Sequence, residues 1–220
     1  LLPTDHSSFS SSPAVADGKV YAASWGGVLY CFDAVTGDRR WTWKSGTDIP
    51  IHSSPAVVGG RIYVGEGLHM DDDCSLYCIT EDPNGQPTVL WKHTSTSHME
   101  SSPQVVDGKV YFAGGDPALY CVDVSSGHIL WKLPTEAPIT STPSVADGSV
   151  FFASGDRFVA ADAATGDVVG HAGRDVGEIL ADRLRRIVLG GVMQHLCGDD
   201  PFDRDAAERH HLVRRAGRGG

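Results

Sequence analysis

Hydrophobic residues along the chain come in short runs separated by turn residues, and residues 101–132 show this pattern most clearly. The apolar runs of this segment are Gln104–Val106, Lys109–Ala113, Leu119–Val122 and His128–Lys132. The first two runs are joined by Asp107-Gly108, a dipeptide that favours a two-residue hairpin turn. The pattern therefore predicts a meander of four antiparallel strands, each close to the usual strand length.

Two of these strands, Val110–Ala113 and Leu119–Val122, are apolar at consecutive positions rather than at alternate ones. Alternation indicates a strand with one face in solvent, whereas a continuous apolar run indicates a strand that is buried on both faces. A single four-stranded sheet cannot cover both of its own faces. The sequence therefore predicts that further sheets pack on either side of this one.

The same pattern recurs three more times, and a Ser-Pro or Thr-Pro step opens each copy. The prolines are Pro13, Pro55, Pro103 and Pro143, so the copies are 42, 48 and 40 residues apart. A period near 40 residues with four strands per unit is typical of a β-propeller. We therefore predict an all-β propeller with about four blades, within a repeat domain of residues 1–170. The predicted blades lie near residues 11–44, 53–92, 101–132 and 141–169.

The copies share a motif. Asp-Gly-Lys-Val-Tyr at residues 17–21 is followed by Leu-Tyr-Cys-x-Asp-x-x-Thr-Gly-x-x-x-Trp at residues 29–41. Over residues 11–169 the chain resembles the pyrroloquinoline-quinone (PQQ)-type propeller repeat. Quinoprotein dehydrogenases carry that repeat, as does the propeller lipoprotein of the outer-membrane barrel-assembly machine. The resemblance implies the fold and says little about activity, because the repeated residues are structural.

The number of blades gives a second expectation. Four blades are the lower limit for a closed propeller, and the proteins that the chain resembles commonly have eight. We therefore expect a partial propeller, with blades missing at one or both ends. Such an arc has two open blade edges, which are prone to pair with other chains and could support self-association.

Two sets of repeated residues are predicted to be structural. An Asp and a Gly shape the turn between the third and fourth strands, since Asp accepts bonds from nearby backbone amides and Gly adopts a positive φ. These pairs are Asp33 with Gly37, Asp123 with Gly127, and Asp162 with Gly166. The resemblance also implies that Trp41, Trp91 and Trp131 pack between neighbouring blades.

Three of the five cysteines share one position in the third strand. They are Cys31, Cys78 and Cys121, and Ala160 takes that position in the fourth copy. A position that accepts either Cys or Ala is typical of a small core residue. Neighbouring blades would hold these sulfur atoms too far apart for a disulfide.

The second copy has two longer turns, at residues 65–75 and 81–87, which antiparallel connectivity places at opposite ends of the blade. Most polar candidates gather at the end that carries residues 65–75. They are His52, His69, Asp71, Asp72, Asp73, His98, Glu100, Asp116, Asp156 and Arg157. His52 and Glu100 hold equivalent positions in adjacent copies, three residues before the proline, and are expected near the central channel.

Carboxylates suit calcium, and mixed histidine and carboxylate ligands suit zinc or manganese. A divalent metal site is therefore one hypothesis for this end of the propeller. Its candidate ligands are His52, His69, Asp71, Asp73 and Glu100. The alternative is a solvated acidic loop, because three consecutive Asp residues lack the alternate spacing of a calcium-binding loop.

No catalytic or cofactor-binding residue can be carried over from the dehydrogenases that the chain resembles. Those enzymes hold PQQ beside two adjacent cysteines, with a calcium ion bound by Glu, Asn and Asp and with an Asp as base. This chain has no Cys-Cys pair, and Asn84, its only Asn, belongs to the opposite end from the Asp71–Asp73 loop. We therefore expect no cofactor in this chain.

The formal net charge of −10 argues against nucleic acid or an anionic membrane as the main partner. No apolar run is long enough to span a bilayer. Residues 1–12 lack the basic and then apolar pattern of a signal peptide, and the chain does not begin with Met. The resemblance implies a periplasmic or other extracytoplasmic location.

The composition changes after Gly170, which stands where the repeat predicts Trp. Residues 1–170 contain nine Lys and Arg residues, whereas residues 171–220 contain nine Arg and no Lys. Apolar residues at helical spacing predict one short helix within residues 174–189, and Gly190-Gly191 ends it. The Arg-rich tail, residues 171–220, is either an added segment, partly helical or disordered, or the product of a changed reading frame.

The leading functional hypothesis is a non-enzymatic propeller scaffold that binds a protein or a polymer. The alternative is the repeat portion of a quinoprotein oxidoreductase, with PQQ and calcium bound in blades that this chain lacks. A metal-dependent activity of the polar loops is a third hypothesis. Enzymatic activity of this chain is the less favoured expectation, since no catalytic residue is identified.

Overall fold

The computed structural model describes residues 8–67 and 71–172, which fall within the first of two compact units, Leu1–Asp175. Every regular element of the described residues is a β-strand. The strands are β1 (Ala14–Ala16), β2 (Lys19–Ala23), β3 (Val28–Asp33), β4 (Arg39–Lys44), β5 (Ala56–Val58), β6 (Arg61–Gly65), β7 (Ser75–Glu81), β8 (Pro87–Thr94), β9 (Gln104–Val106), β10 (Lys109–Ala113), β11 (Ala118–Asp123), β12 (Ile129–Pro134), β13 (Ser144–Ala146), β14 (Ser149–Ser154), β15 (Arg157–Asp162) and β16 (Val168–Ala172).

These strands form four separate sheets, each made of four strands that are consecutive in the chain. Neighbouring strands are antiparallel, so each sheet is a meander. The sheets are named blades 1 to 4 in chain order. The short first strands of consecutive blades lie side by side, as they do around the centre of a propeller. The predicted all-β propeller of four-stranded antiparallel blades is confirmed.

A tight turn joins the first two strands of each blade. In blade 3 it is Asp107-Gly108, with φ angles of 48° and 74°. Asp17-Gly18 and Asp147-Gly148 have the same conformation, and Gly59-Gly60 replaces it in blade 2. Positive φ at both central residues gives the backbone twist that matches two twisted antiparallel strands, which explains the Asp-Gly recurrence.

Three apolar clusters fill the spaces between consecutive blades. Cys31, Cys78 and Cys121 each lie in one of these clusters and are fully buried. Burial raises the pKa of each of these thiols to about 11, so they remain protonated core residues. Among the described residues, none of these clusters joins blade 4 to blade 1. Self-association through the open blade edges stays a prediction.

Trp91 and Trp131 each lie at the boundary with the following blade. The indole N–H of Trp91 donates to the Val124 carbonyl oxygen of blade 3 at 3.3 Å. The indole N–H of Trp131 donates to the Ala163 carbonyl oxygen of blade 4 at the same distance. Each ring therefore contributes both apolar contact and one directed bond to the next blade.

Blade 2 lacks the Asp-x-x-Thr-Gly turn, so Trp41 uses a different acceptor. Its indole N–H donates to Glu81 Oε1 at 2.9 Å, and Lys19 Nζ lies 2.5 Å from Glu81 Oε2. Burial alone would raise the pKa of Glu81, but the hydrogen bonds from Lys19 and Trp41 outweigh it and lower that pKa. A carboxylate thus joins blades 1 and 2 where a backbone carbonyl joins the later pairs.

In the three blades that carry the Asp-x-x-Thr-Gly or Asp-x-x-Ser-Gly turn, the Asp side chain caps the turn. Asp33 Oδ1 accepts hydrogen bonds from the backbone N–H groups of Val35 and Thr36, at 2.9 Å each. Asp123 and Asp162 accept the equivalent bonds. These bonds hold the pKa of all three carboxyl groups below their ordinary value.

The hydroxyl residue two positions before each repeated proline has a structural role that the sequence did not reveal. Ser101 Oγ donates to the Ala113 carbonyl oxygen at 2.8 Å and accepts from the Ala113 N–H at 2.9 Å. The same double contact recurs through Ser11, Ser53 and Ser141. Each hydroxyl fastens the loop before a blade to the second strand of that blade.

Blade 4 closes without a tryptophan. Gly170 pairs with Ala160 in the register position of that ring, and β16 continues to Ala172. The strand therefore extends two residues past the predicted boundary at residue 170, because its backbone bonds to β15 do not need the ring. The rest of the predicted tail, including its helix, lies outside the described residues. The described part of the chain includes no helix of the length and apolarity that a membrane span requires.

Candidate functional site

One end of the blades carries both the loops between blades and the turns between second and third strands. This region is named the loop end. It comprises residues 45–55, 95–103 and 135–143 between blades, and residues 24–27, 66, 67, 71–74, 114–117 and 155–156 within blades. The described members of the predicted metal set all lie here.

His52 and Glu100 hold equivalent positions in two neighbouring interblade loops, but each has a different neighbour. The half-buried His52 ring lies edge-on to Trp25, with 6.1 Å between ring centroids. Glu100 Oε1 lies 3.9 Å from His98 Nε2. The two predicted ligands therefore have different neighbours: His52 contacts the Trp25 ring, and Glu100 lies near the His98 imidazole.

The acidic part of the predicted metal set lies in the long turn of blade 2. Asp71 is half-buried, and Asp73 is exposed with a φ of 55°. Within residues 8–67 and 71–172, no three His, Cys, Asp or Glu side chains form a group that could hold a metal ion. His69 lies outside the described residues, so the five-residue metal site stays a prediction.

Glu66, which was not among the sequence candidates, is a buried carboxylate at the start of the same turn. Only 2% of the residue is exposed. Its Oε1 accepts from the Tyr77 hydroxyl at 2.8 Å, and its Oε2 accepts from Thr47 Oγ1 at 3.1 Å. Burial, followed by the bond to Glu66, raises the pKa of Tyr77 to about 12 and keeps the phenol protonated at neutral pH. Glu66 thereby holds the loop before blade 2 against the blade.

Asp116 plays the same part in blade 3. It accepts a short hydrogen bond from the Tyr120 hydroxyl, and it also contacts Ser95 Oγ at 3.3 Å and Lys132 Nζ at 3.2 Å. Burial and the bond to Asp116 raise the pKa of Tyr120. In both blades a carboxylate of the loop end is thus committed to a tyrosine of the third strand, and it stabilises the fold.

Trp25 is a large apolar side chain that the loop end presents to solvent, with 38% of the residue exposed. Its turn is pressed against the neighbouring interblade loop, because a Cβ on Gly27 would lie 2.4 Å from the Ile49 carbonyl oxygen. The backbone N–H of Trp25 also donates to the Ser8 carbonyl oxygen at 3.0 Å. The sequence could have indicated Trp25 as a functional candidate, because it lies outside the position that Trp41, Trp91 and Trp131 share.

Two residue types weighed for a PQQ site, an Asn and a pair of cysteines, can be located among the described residues. Asn84 lies in the turn between β7 and β8, away from the loop end, and its Nδ2 is 3.5 Å from Asp82 Oδ2. The buried Cys74 and Cys78 are separated by three residues and remain free thiols. The expectation that this chain binds no cofactor stays a prediction.

Comparison with known proteins decides the family. A family model described as "Outer membrane protein assembly factor BamB" matches residues 4–82 and 73–189, which is most of the chain. The chain belongs to this PQQ-like repeat family. This chain is also similar in sequence to part of the serine/threonine-protein kinase AfsK of Streptomyces griseus, with 38% identity over 60 residues. That match covers 27% of this chain and 7% of the kinase.

Two solved structures show the fold of the PQQ-like repeat. BamB from Moraxella catarrhalis has a TM-score of 0.61 and 17% identity, over 76% of this chain and 52% of BamB. The quinohemoprotein alcohol dehydrogenase ADHIIG from Pseudomonas putida HK5 also has a TM-score of 0.61, with 19% identity, over 76% of this chain and 34% of the enzyme. The chain thus spans about half or less of each protein, and the likeness shows the fold alone.

Proposed function

We propose that the chain is a non-enzymatic propeller scaffold that binds a protein partner through the loop end. The observation that carries the proposal is Trp25, a partly exposed ring on a turn that packs closely against the neighbouring interblade loop. Rigid aromatic side chains supply much of the binding energy of protein interfaces, because they bury large areas at little cost in conformational entropy.

The contacts of two loop-end carboxylates, Glu66 and Asp116, favour binding over acid–base chemistry. Glu66 is buried and accepts from two hydroxyl groups, and Asp116 accepts from the Tyr120 phenol. A general acid or base must exchange protons with a substrate, whereas these groups hold loops against blades. The loop end is therefore a preorganised surface, which suits recognition.

The family supports a protein partner, since its model is described as an outer membrane protein assembly factor. By the same likeness we propose an extracytoplasmic location. A polymer with exposed apolar or aromatic groups would meet the same surface. The alternative, the repeat portion of a quinoprotein oxidoreductase, is supported by the fold likeness to quinohemoprotein alcohol dehydrogenases.

Site-specific photocrosslinking tests the proposal. A photoreactive phenylalanine analogue at Trp25 should give one discrete, saturable adduct in cells of the producing organism, with a partner identified by mass spectrometry. The control position is Val35, which is 92% exposed in the β3–β4 turn, at the opposite end of blade 1. With the purified partner, Trp25→Ala should weaken binding by about tenfold or more, the loss expected for a central aromatic residue.

Two outcomes would contradict the scaffold reading. One is an identical pattern of adducts from position 25 and position 35, which would show contact without a defined surface. The other is tight, saturable binding of PQQ in the presence of calcium together with alcohol oxidation, which would establish the oxidoreductase alternative.

A further inference from the structure

A cleft of about 380 Å³ lies between blades 3 and 4 at the loop end. Its apolar wall includes Leu133 at the end of blade 3 and Val159 in the third strand of blade 4. Its polar rim includes Ser154, Arg157 and Glu136, which lies in the loop before blade 4. At the two other boundaries between consecutive blades, a tyrosine ring packs at the equivalent place.

The cleft results from a single replacement within the repeat. Val159 takes the position that Tyr77 and Tyr120 hold in blades 2 and 3, as the strand pairing shows. The Tyr77 ring packs against Trp43 of the preceding blade, with 4.9 Å between centroids. The Tyr120 ring packs in the same way against His93, at 5.2 Å. Leu133 of blade 3 holds the position of Trp43 in blade 1 and His93 in blade 2. Because Val159 is smaller than tyrosine, the space of one phenol ring is left beside Leu133.

The rest of the cleft also matches the surroundings of a tyrosine ring. Lys132 Nζ lies 4.7 Å from the centroid of the Tyr120 ring, and His171, which lines the cleft, pairs with Val159 as Lys132 pairs with Tyr120. A cation over a ring face is a favourable contact, and His171 holds in blade 4 the position that Lys132 holds in blade 3. The cleft therefore offers a ring both an apolar wall and a polar cover.

A hydrogen-bond acceptor lies where the phenol hydroxyl would point. Ser154 is the last residue of the second strand of blade 4, at the position that Glu66 holds in blade 2. Its residue is 6% exposed, and its Oγ donates to the Ala137 carbonyl oxygen at 2.7 Å. A hydroxyl that donates keeps its lone pairs for an incoming donor. At the rim, Arg157 and Glu136 form an ion pair at 3.0 Å that links the two sides.

We propose that this cleft binds the phenol ring of a tyrosine side chain presented by the protein partner. The ring lies between Leu133 and Val159, and its hydroxyl donates to Ser154. The proposal rests on the scaffold function proposed above and adds a chemical preference to it. The chain itself is the precedent, because two other blades place a tyrosine of their own in the equivalent space.

The probe is N-acetyl-tyrosinamide, titrated into the full chain with methyl-labelled Val and Leu side chains. We expect saturable chemical-shift changes at Leu133 and Val159, with a dissociation constant in the millimolar range. N-acetyl-phenylalaninamide should bind about fivefold more weakly, the effect of one neutral hydrogen bond. N-acetyl-leucinamide should produce no saturable change at these methyl groups.

Three variants make the test specific. Val159→Tyr fills the cleft and should abolish the shifts. Ser154→Ala keeps the cleft open and should remove the preference for the tyrosine probe over the phenylalanine probe, which a loss of folding alone would not do. Tyr120→Val is the matched control, because it should open an equivalent cleft in blade 3 and produce a second set of shifts there.

Three results would overturn the proposal: no saturable change at Leu133 and Val159 up to the solubility limit of the probe, unchanged shifts in Val159→Tyr, or equal binding of the tyrosine and leucine probes. Because the titration needs no partner protein, its failure is distinct from failure of the scaffold function. A partner that crosslinks at Trp25 while the cleft binds no probe would refute the tyrosine preference alone.

Discussion

Two glycines that hold the same turn position in different blades, Gly37 and Gly127, offer a direct test of how the blades are held together. Their φ angles are 75° and 70°. A Cβ on Gly127 would lie 2.6 Å from Cδ2 of the Trp91 ring, which is closer than real Cβ contacts. A Cβ on Gly37 would have no heavy atom of the described residues within 4 Å. Alanine therefore brings the same backbone strain to both sites but a ring clash to only one.

The expected magnitudes follow from these two contributions. Holding alanine in the left-handed region costs about 1–2 kcal/mol, so Gly37→Ala should lower the free energy of unfolding by that amount. Overpacking against a ring adds about 1–3 kcal/mol, so Gly127→Ala should cost about 2–5 kcal/mol in total. The ring has little freedom to withdraw, because the Trp91 indole N–H is bonded to the Val124 carbonyl oxygen.

Equilibrium urea unfolding, followed by far-ultraviolet circular dichroism, measures both variants. An unchanged denaturant slope would indicate that the difference lies in native-state stability. In a Trp91→Ala background the two glycine substitutions should cost the same, since the clash is gone. Gly166→Ala repeats the experiment at the Trp131 ring, where the corresponding Cβ distance is 2.8 Å. Equal costs for Gly37→Ala and Gly127→Ala, within about 0.5 kcal/mol, would refute the idea that the ring is seated on this glycine.

Three further predictions concern single contacts. Hydrogen bonds from Ser125 and Ser126 lower the pKa of Asp123, so its contribution to stability is present above about pH 4 and is lost as the pH falls further. Thermal unfolding at several pH values should therefore show that the loss of stability in Asp123→Asn becomes smaller in acid. Glu81→Gln keeps an acceptor for Trp41 but removes the charge, and should cost about 1 kcal/mol in urea unfolding. Ser101→Ala leaves a buried N–H and C=O unsatisfied and should cost about 1–3 kcal/mol, more than Ser141→Ala, whose contacts are exposed.

The strands were predictable because local pattern and fold agree. Runs such as Lys109–Ala113 begin and end in the structure where the sequence indicated, since turn dipeptides such as Asp107-Gly108 allow one tight geometry. The four repeated prolines predicted the number of blades, because one of them precedes the first strand of each sheet. The end of blade 4 was less predictable: β16 reaches Ala172 because backbone pairing continues where the tryptophan of the motif is absent.

The loop end was harder to predict, because its contacts join residues that the period does not relate. Tyr77 and Tyr120 hold equivalent positions, but their carboxylate partners, Glu66 and Asp116, come from different places in turns of different length. What the blades share is a requirement rather than a residue: a buried phenol needs an acceptor. Blade 4 differs, because Val159 has no hydroxyl that needs an acceptor and Ser154 holds the position of Glu66 in blade 2. In blades 2 and 3 a tyrosine ring with a carboxylate acceptor fills this place, and in blade 4 the smaller Val159 side chain leaves the cleft beside Leu133.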